Sequence, residues 1–394
     1  MQHDAATNLP TPDAASARHS ERVAAFMRGE IAAAGGDLSF AEFMQHALYA
    51  PALGYYAAGA TKFGAAGDFV TAPEVSPIFG RVLARQSAEV LAATGDAGII
   101  ELGAGSGRLA VDMLRALAEW DALPARYSIL EVSADLRERQ ESLLRAEVPE
   151  LLSQVDWLDR LPRAHRGVIV ANEVIDALPV ERFRCEGGAV RQLRVATDGS
   201  GFRIVEAPAP AKLGNAVEAI EEQLGVRLPD GYVSEVSLGM AGWLQEVGAC
   251  LEHGVALLLD YGVTRREYYA PERIGGWLRC HFRHHAHADP LILVGVLDLT
   301  AWVDFTAVAE AGLDCGLDVA GYSTQAQFLL GGGLEFEIDR FADLPIATQL
   351  ELSSQVKMLT LPGEMGENFK CMALRRGAVP VPSAFKLGDR THTL

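Results

Sequence analysis

An α/β fold is predicted, built on a parallel, Rossmann-like sheet with a helical N-terminal extension and a β-rich insertion between the fourth and fifth strands. Three observations predict it. From residue 98 onward, short apolar runs alternate with helical stretches, as in a parallel sheet covered on both faces. The first apolar run leads through Gly103-Ala104-Gly105-Ser106-Gly107 directly into a helix, a turn whose glycines let a ligand reach backbone N–H groups. Two alternating stretches, 190–195 and 202–205, are broken by Asp198-Gly199, which is a hairpin signal inside the α/β order.

The elements follow in chain order. Residues 1–19 lack periodicity and are expected to be a mobile tail. From Ser20, Val23, Phe26, Met27 and Ile31 share a helical face until Gly35-Gly36. Ser39 and Glu42 form a capping box, with Leu38 and Phe43 as a hydrophobic staple, for a helix over 40–50. Residues 54–74 are rich in glycine and aromatics without alternation, which reads as an ordered loop covering something else. Ser76-Pro77 opens the next helix, which ends at Gly95. Strands are expected at 98–102, 127–131, 155–158, 168–171 and 255–259, a helix at 109–117, and a terminal strand at 369–374. The predicted division is therefore a tail (1–19), a helical extension with a covering loop (20–95), a core (96–178 and 249–394) and an inserted substrate or partner subdomain (179–248).

The chain has 394 residues, 49% hydrophobic and 22% charged, enough apolar surface for a large core. Lys plus Arg is 34 against 52 Asp plus Glu, a net charge of −18. That balance argues against nucleic acid as a partner, because neutralising phosphates needs a basic face. Five cysteines without a C-x-x-C pair indicate a reducing compartment. The apolar runs are too short for a membrane span, and no targeting peptide is evident, so a cytoplasmic protein is expected.

The spacing of the glycine turn selects among ligands. A dinucleotide fingerprint needs G-x-G-x-x-G, whereas the glycines here are 103, 105 and 107 and position 108 is Arg108. Glu101 would repel a pyrophosphate but suits a ligand bearing an ammonium group, and S-adenosyl-L-methionine has an ammonium and no phosphate. Glu131, at the end of the second strand, is placed to accept both ribose hydroxyl protons, and Asp156 to face an adenine amine. A glycine turn serving another ligand stays open as the alternative.

Asn172-Glu173-Val174-Ile175-Asp176-Ala177-Leu178-Pro179 follows the fourth strand, at the sheet edge where α/β folds place reacting groups. Asn172 can orient an amine, and Glu173 and Asp176 can hold a guanidinium or ammonium. The competing reading makes Asp176 a helix cap and Glu173 a solvated surface group. His281, His284, His285 and His287 crowd behind Cys280, but Arg279 and Arg283 between them oppose a cation, so a substrate-contact loop with His284 and His287 is preferred to a metal site.

Together these segments resemble the MidA-like methyltransferases, relatives of the mitochondrial complex I assembly-factor methylase. The resemblance rests on Tyr49-Ala50-Pro51 with Gly54-Tyr55-Tyr56; Gly67-Asp68-Phe69-Val70-Thr71-Ala72-Pro73-Glu74-Val75-Ser76 with Phe79-Gly80; the 101–107 turn; the 172–179 turn; Leu278-Arg279-Cys280 continuing to Asp304-Phe305; and Leu361-Pro362, Glu364-Met365-Gly366 and Phe369-Lys370. It spans about residues 38–371. It implies a class I methyltransferase fold, S-adenosyl-L-methionine as cofactor and a protein arginine as acceptor, in the mitochondrial members on a respiratory complex I subunit. It places Gly103, Gly105 and Glu131 in the cofactor cleft, Asp68, Thr71 and Glu74 in a loop closing over it, and Asn172, Glu173 and Asp176 on the acceptor side, while Glu101, Gly107 and Asp156 are cofactor candidates from the reading of the turn and strands. The chain departs from the family pattern at Trp277, Leu297 and Trp302, where a threonine, a polar residue and a histidine are usual. A non-catalytic cofactor-binding assembly factor and a small-molecule methyltransferase are the alternatives carried forward.

Overall fold

The computed structural model describes residues 9–57, 71–339 and 341–394. These form two compact units, one of residues up to 69 with 176–240 and 264–304, the other of 70–175, 241–263 and 305–394.

The second unit holds the central sheet. Its main path runs Asp318–Thr324, Phe369–Arg376, Leu251–Val263, His165–Asn172, Gly98–Leu102, Tyr127–Leu130, Val155–Leu158. The five strands from Leu251–Val263 outward are parallel, and Phe369–Arg376 is inserted antiparallel. This is the Rossmann-like α/β sheet that the sequence predicts. The five predicted parallel strands are all present, with His165–Asn172 and Leu251–Val263 longer than their apolar runs. Strand Asp318–Thr324 has no counterpart among the sequence expectations, because its apolar residues do not alternate. The core under the sheet gathers Ile99, Val168, Val170, Val255 and Leu257 with Phe79, Leu83 and Met113 from the helices Pro77–Thr94 and Arg108–Glu119.

Glycine permits the close centre of the sheet. Gly98, Gly167 and Gly254 stand in register across three neighbouring strands, Gly167 at φ +125° and Gly254 at φ +146°. A Cβ on Gly167 would lie 2.1 Å from the Gly98 carbonyl oxygen, and one on Gly254 1.8 Å from that of Gly167. No side chain fits there.

The first unit is antiparallel. Asp37–Ser39, Glu181–Glu186, Ala189–Asp198, Gly201–Pro208 and Val233–Val236 form one sheet, with the predicted hairpin turning at Asp198-Gly199, and His285–His287, Leu278–Phe282 and Asp298–Ala301 form a smaller one. Helix Phe40–Tyr49 carries the expected capping box, Ser39 N–H to Glu42 Oε2 at 2.8 Å and Glu42 N–H to Ser39 Oγ at 3.1 Å. The first helix starts at Ala14 and not at Ser20, because Asp13 accepts from the N–H groups of Ala15 and Ser16 and stabilises a polar turn that hydrophobic periodicity does not mark. Val23, Met27 and Ile31 are its buried stripe, packed with Phe43, Leu278 and Leu299. Among the described residues no helix is long and apolar enough to cross a membrane.

Candidate functional site

Strand Gly98–Leu102 ends in the glycine turn, and Gly103, Gly105 and Gly107 all have positive φ, +62°, +54° and +86°. Gly107 is the left-handed N-cap of helix Arg108–Glu119. A Cβ there would sit 3.3 Å from the Cα of Gln140, so turn and helix Ala134–Glu147 pack without a side chain between them.

Glu101 is buried on the strand, and its Oε2 accepts from the Tyr127 hydroxyl at 2.7 Å. Burial pushes its carboxyl up to about 7, against the Tyr127 hydrogen bond and with the charge of Glu131 adding to the rise. Glu131, just past the next strand, is also buried. Its Oε1 accepts from the Ser133 N–H at 2.9 Å and its Oε2 from the Gln140 amide at 3.1 Å, and burial outweighs these bonds to raise its pKa. Each carboxylate oxygen retains acceptor capacity after one bond. Asp156 lies half-buried on strand Val155–Leu158 and accepts from the Ser128 hydroxyl at 2.8 Å.

Gln140 joins these parts and escapes sequence reading. It is fully buried. Its Nε2 donates to the Gly105 carbonyl at 3.0 Å and to Glu131, while its Oε1 accepts from the Trp157 indole at 3.0 Å. One amide thus connects the glycine turn, the carboxylate and the edge strand. Nothing in a stretch reading Arg137-Glu138-Arg139-Gln140-Glu141 distinguishes this glutamine from a surface residue; the available signal is its i+4 relation to Leu136 and Leu144 on the buried face.

Thr71 is the N-cap of the short helix Ala72–Val75, and Glu74 within that helix accepts a hydrogen bond from the Ser106 hydroxyl of the glycine turn. Asp68 lies outside the described residues. Thr71 and Glu74 therefore stand with Glu101, Glu131 and Asp156 in the second unit, as do Asn172 and Glu173.

Asn172 ends the central strand His165–Asn172. Its Nδ2 donates to Glu173 Oε1 at 3.1 Å, but its buried Oδ1 has no hydrogen-bond partner among the described residues. Glu173 adopts φ +53°, a left-handed conformation costing about 1 kcal/mol for a residue with a Cβ. Two bonds hold the strained turn: Glu173 N–H to the Leu259 carbonyl at 2.8 Å and Ile175 N–H to Asp260 Oδ2 at 2.9 Å. Asp260, completely buried, is a second positioning residue that the sequence reading passes over. Its signal is an acid closing the apolar run 255–259.

Asp176 belongs to the first unit, where it is buried and its carbonyl accepts from the Ala301 N–H at 2.9 Å. Its charge adds to the raised pKa of Tyr56, a rise due first to burial and then to Asp298, whose Oδ1 accepts from the Tyr56 hydroxyl at 3.0 Å. Tyr56 stacks on Tyr49 at 5.6 Å, so Asp176 lies in an aromatic, acidic environment.

His284 and His287 are also in the first unit, on the hairpin of Leu278–Phe282 with His285–His287. His284 is an exposed turn residue at φ +63°. His287 is buried and takes the Asp289 N–H on Nδ1 at 3.2 Å, and its Nε2 has no hydrogen-bond partner among the described residues; burial lowers its pKa, with Asp289 opposing. Burial, then the charges of His287 and Arg279, brings His281 down to about 4. The two tryptophans that depart from the family pattern stack on each other, centroids 4.3 Å apart and planes 24° from parallel. The Trp277 indole donates to the Tyr268 carbonyl at 2.8 Å. The two departures are thus one packing unit, and Leu297 is an ordinary core residue.

Comparison with known proteins bears on this arrangement. A sequence model of the S-adenosyl-L-methionine-dependent methyltransferase family matches residues 82–323. A protein from Burkholderia thailandensis, crystallised with S-adenosyl-homocysteine, is 40% identical, with 98% of this chain and 100% of that one covered and a TM-score of 0.92. The mitochondrial protein arginine methyltransferase NDUFAF7 of Homo sapiens is 29% identical, with 86% of this chain and 80% of that protein covered. Its Drosophila melanogaster homolog is 27% identical over 87% and 83%.

Proposed function

The chain belongs to the MidA-like family of S-adenosyl-L-methionine-dependent methyltransferases, and from that premise we propose that it methylates a guanidinium nitrogen of an arginine in a partner protein. The observation that carries the acceptor assignment is the buried Oδ1 of Asn172 beside Glu173, without a hydrogen-bond partner among the described residues. A buried acceptor without a donor costs about 1–3 kcal/mol, which an N–H group of a bound substrate would recover.

The residues of the cradle fit the cofactor. Glu131 keeps acceptor capacity for two adjacent ribose hydroxyls, Glu101 places a carboxylate where an amino-acid ammonium is favoured, and the glycine turn presents backbone without side chains. Asp156 is assigned to the adenine amine, with Thr71 and Glu74 beside the turn and Asp68 preceding them in sequence. Gln140 holds Glu131 and the Gly105 carbonyl in one geometry. When bound, the cofactor supplies a sulfonium-activated methyl group.

On the acceptor side, Asn172 Oδ1 accepts one guanidinium N–H and the Glu173 carboxylate a second. Fixing the planar fork by two such bonds aims a single nitrogen and localises the positive charge away from it. The new N–C bond forms as the S–C bond breaks, and the nitrogen must lose a proton. Arginine's pKa above about 12 makes that loss unfavourable in water, so a carboxylate beside the nitrogen takes the proton during or after attack. The named relatives favour a protein acceptor, and a respiratory complex I subunit is the acceptor that the resemblance implies.

The test incubates purified enzyme with an extract from cells lacking it and with S-adenosylmethionine labelled in the methyl group, followed by acid hydrolysis of the proteins. Label in methylarginine, lost in Glu173→Gln while cofactor binding persists, is the expected result. Label in small molecules sinks the reading, and intact binding without any transfer points to an assembly factor that binds the cofactor and does not turn over.

A further inference from the structure

At the cradle's outer edge the central sheet ends in a weakly held strand. Val155–Leu158 is four residues long and pairs with Tyr127–Leu130 alone, from Tyr127 with Val155 to Leu130 with Leu158. A short edge strand with one neighbour has little of its own to fix its position. Where this pairing stops, one side chain takes over. Arg137 donates Nε–H to the Glu131 carbonyl at 2.6 Å and Nη2–H to the Leu158 carbonyl at 2.5 Å, and its Nη2 lies 2.9 Å from the Asp159 carboxylate. The guanidinium thus carries cross-strand bonding past the last backbone pair.

Arg137 does not act alone on this edge. It stands three residues before Gln140 on helix Ala134–Glu147, so both project from one face. Gln140 ties Glu131 to Trp157 one helical turn further on, and the N-cap Ser133 holds Glu131 through its N–H. Glu131 is therefore gripped at its carboxylate by Ser133 and Gln140 and at its carbonyl by Arg137. A planar fork with parallel donors fixes both the spacing and the angle of the carbonyls it bridges, which a single ammonium cannot do. Such spacing matters for a ligand, because a binding group displaced by more than about 0.5 Å no longer meets its partners well.

We propose that Arg137 is the positioning residue for the adenosine half of the cofactor. It locks the ends of strands Tyr127–Leu130 and Val155–Leu158 together, so that Glu131 is presented to the ribose in one place. The proposal rests on the reading of Glu131 as the ribose acceptor. Charge is a second, smaller contribution. Burial raises the Glu131 pKa, the bonds from Ser133, Gln140 and the Val132 N–H lower it, and Arg137 lowers it further, with Glu101 the neighbouring acid.

Calorimetric titration of the full-length protein with S-adenosyl-homocysteine and with adenosine tests it. Arg137→Met should weaken both by the same factor, about tenfold, because the half they share is what moves. Glu101→Gln should weaken S-adenosyl-homocysteine alone. The pH at which adenosine binding is lost on acidification should rise in Arg137→Met and stay in place in Arg137→Lys, which keeps the charge. Affinity should stay low in Arg137→Lys, because the bridge is broken. A merely structural arginine would move neither that pH nor the two ligands in step. Should Arg137→Met fail to fold, Arg137→Lys carries the same affinity test. Unchanged adenosine affinity in the variants overturns the proposal, as does full recovery in Arg137→Lys or a loss confined to S-adenosyl-homocysteine. Glu131→Ala separates the two levels. Adenosine binding that survives it removes the ribose reading and the proposal with it, whereas binding lost there but intact in Arg137→Met removes the proposal alone.

Discussion

The cofactor cradle and the turn at residues 172–175 lie in the same unit and are built on opposite principles. In the cradle the buried side chains bond to one another and to the nearby backbone: Tyr127 to Glu101, Glu131 to Ser133 and Gln140, Gln140 to Gly105 and Trp157. At the turn, Asn172 Oδ1 is buried without a donor and Glu173 is held at a positive φ. A network bonded within itself is rigid before its ligand arrives, whereas on the proposed reading the unbonded acceptor on a strained backbone gains its partner when substrate binds. On the proposed reading, the difference is that between a site for an invariant cofactor and one for an exchanged acceptor.

That separation is breakable by mutation. The largest expected effect is in the cradle: Glu131→Ala should weaken S-adenosylmethionine binding by at least about a hundredfold, since two charge-assisted bonds of about 1.5–3 kcal/mol each are lost; calorimetric titration reads it. Asn172→Ala should leave that titration unchanged yet lower label transfer to arginine, also on the order of a hundredfold, the cost of a misaligned acceptor. If both variants lose cofactor binding equally, the two regions are not separable.

Glu101 sharpens the contrast through pH. Its carboxyl is near 7 in the folded chain and near 4.5 when unfolded, so folding favours its protonated form. The stability it contributes is complete below pH 4.5 and is lost as pH rises through 7, at a cost of about 3 kcal/mol in the cofactor-free protein at pH 8. Glu101→Gln should therefore raise the melting temperature of the cofactor-free protein at pH 8 and not at pH 4.5, while weakening cofactor binding. An unchanged melting temperature at pH 8 would show that the carboxylate is not paying for burial.

Gln140→Met keeps the volume and removes three hydrogen bonds. Cofactor affinity should fall about tenfold, and the pH at which binding is lost on acidification should move up, since Glu131 loses a bond that favours its charged form. A merely structural glutamine would leave that pH unmoved. The smallest effect is expected far from the cradle: Trp302→His uncovers the Trp277 ring and should cost about 1 kcal/mol of stability by denaturant melt, recovered in part when Trp277→Thr is added.

How legible each part was follows from the range of its causes. The central strands and the glycine turn could be read directly, since apolar runs and glycines act within a few residues. Gln140 and Asp260 could not. Their importance comes from contacts with residues far away in the chain, Gly105 and Trp157 for one and Ile175 for the other. The helix start at Ala14 was hidden because a cap bond, and not a hydrophobic stripe, defines it. The strand Asp318–Thr324 was hidden because its identity depends on pairing with Phe369–Arg376.

The sequence by itself therefore determined the α/β class, the glycine turn with its flanking acids Glu101 and Glu131, and the acidic turn after the fourth strand. Local propensity and the need for positive φ are written residue by residue. Only the tertiary structure decided that Glu101 is buried enough to titrate near 7, that one glutamine binds the cradle together, that Trp277 and Trp302 form a single stack, and that Asn172 keeps an unanswered oxygen. Each of those properties depends on which groups meet across distant segments and on how much water is excluded between them, and neither quantity exists until the chain has folded.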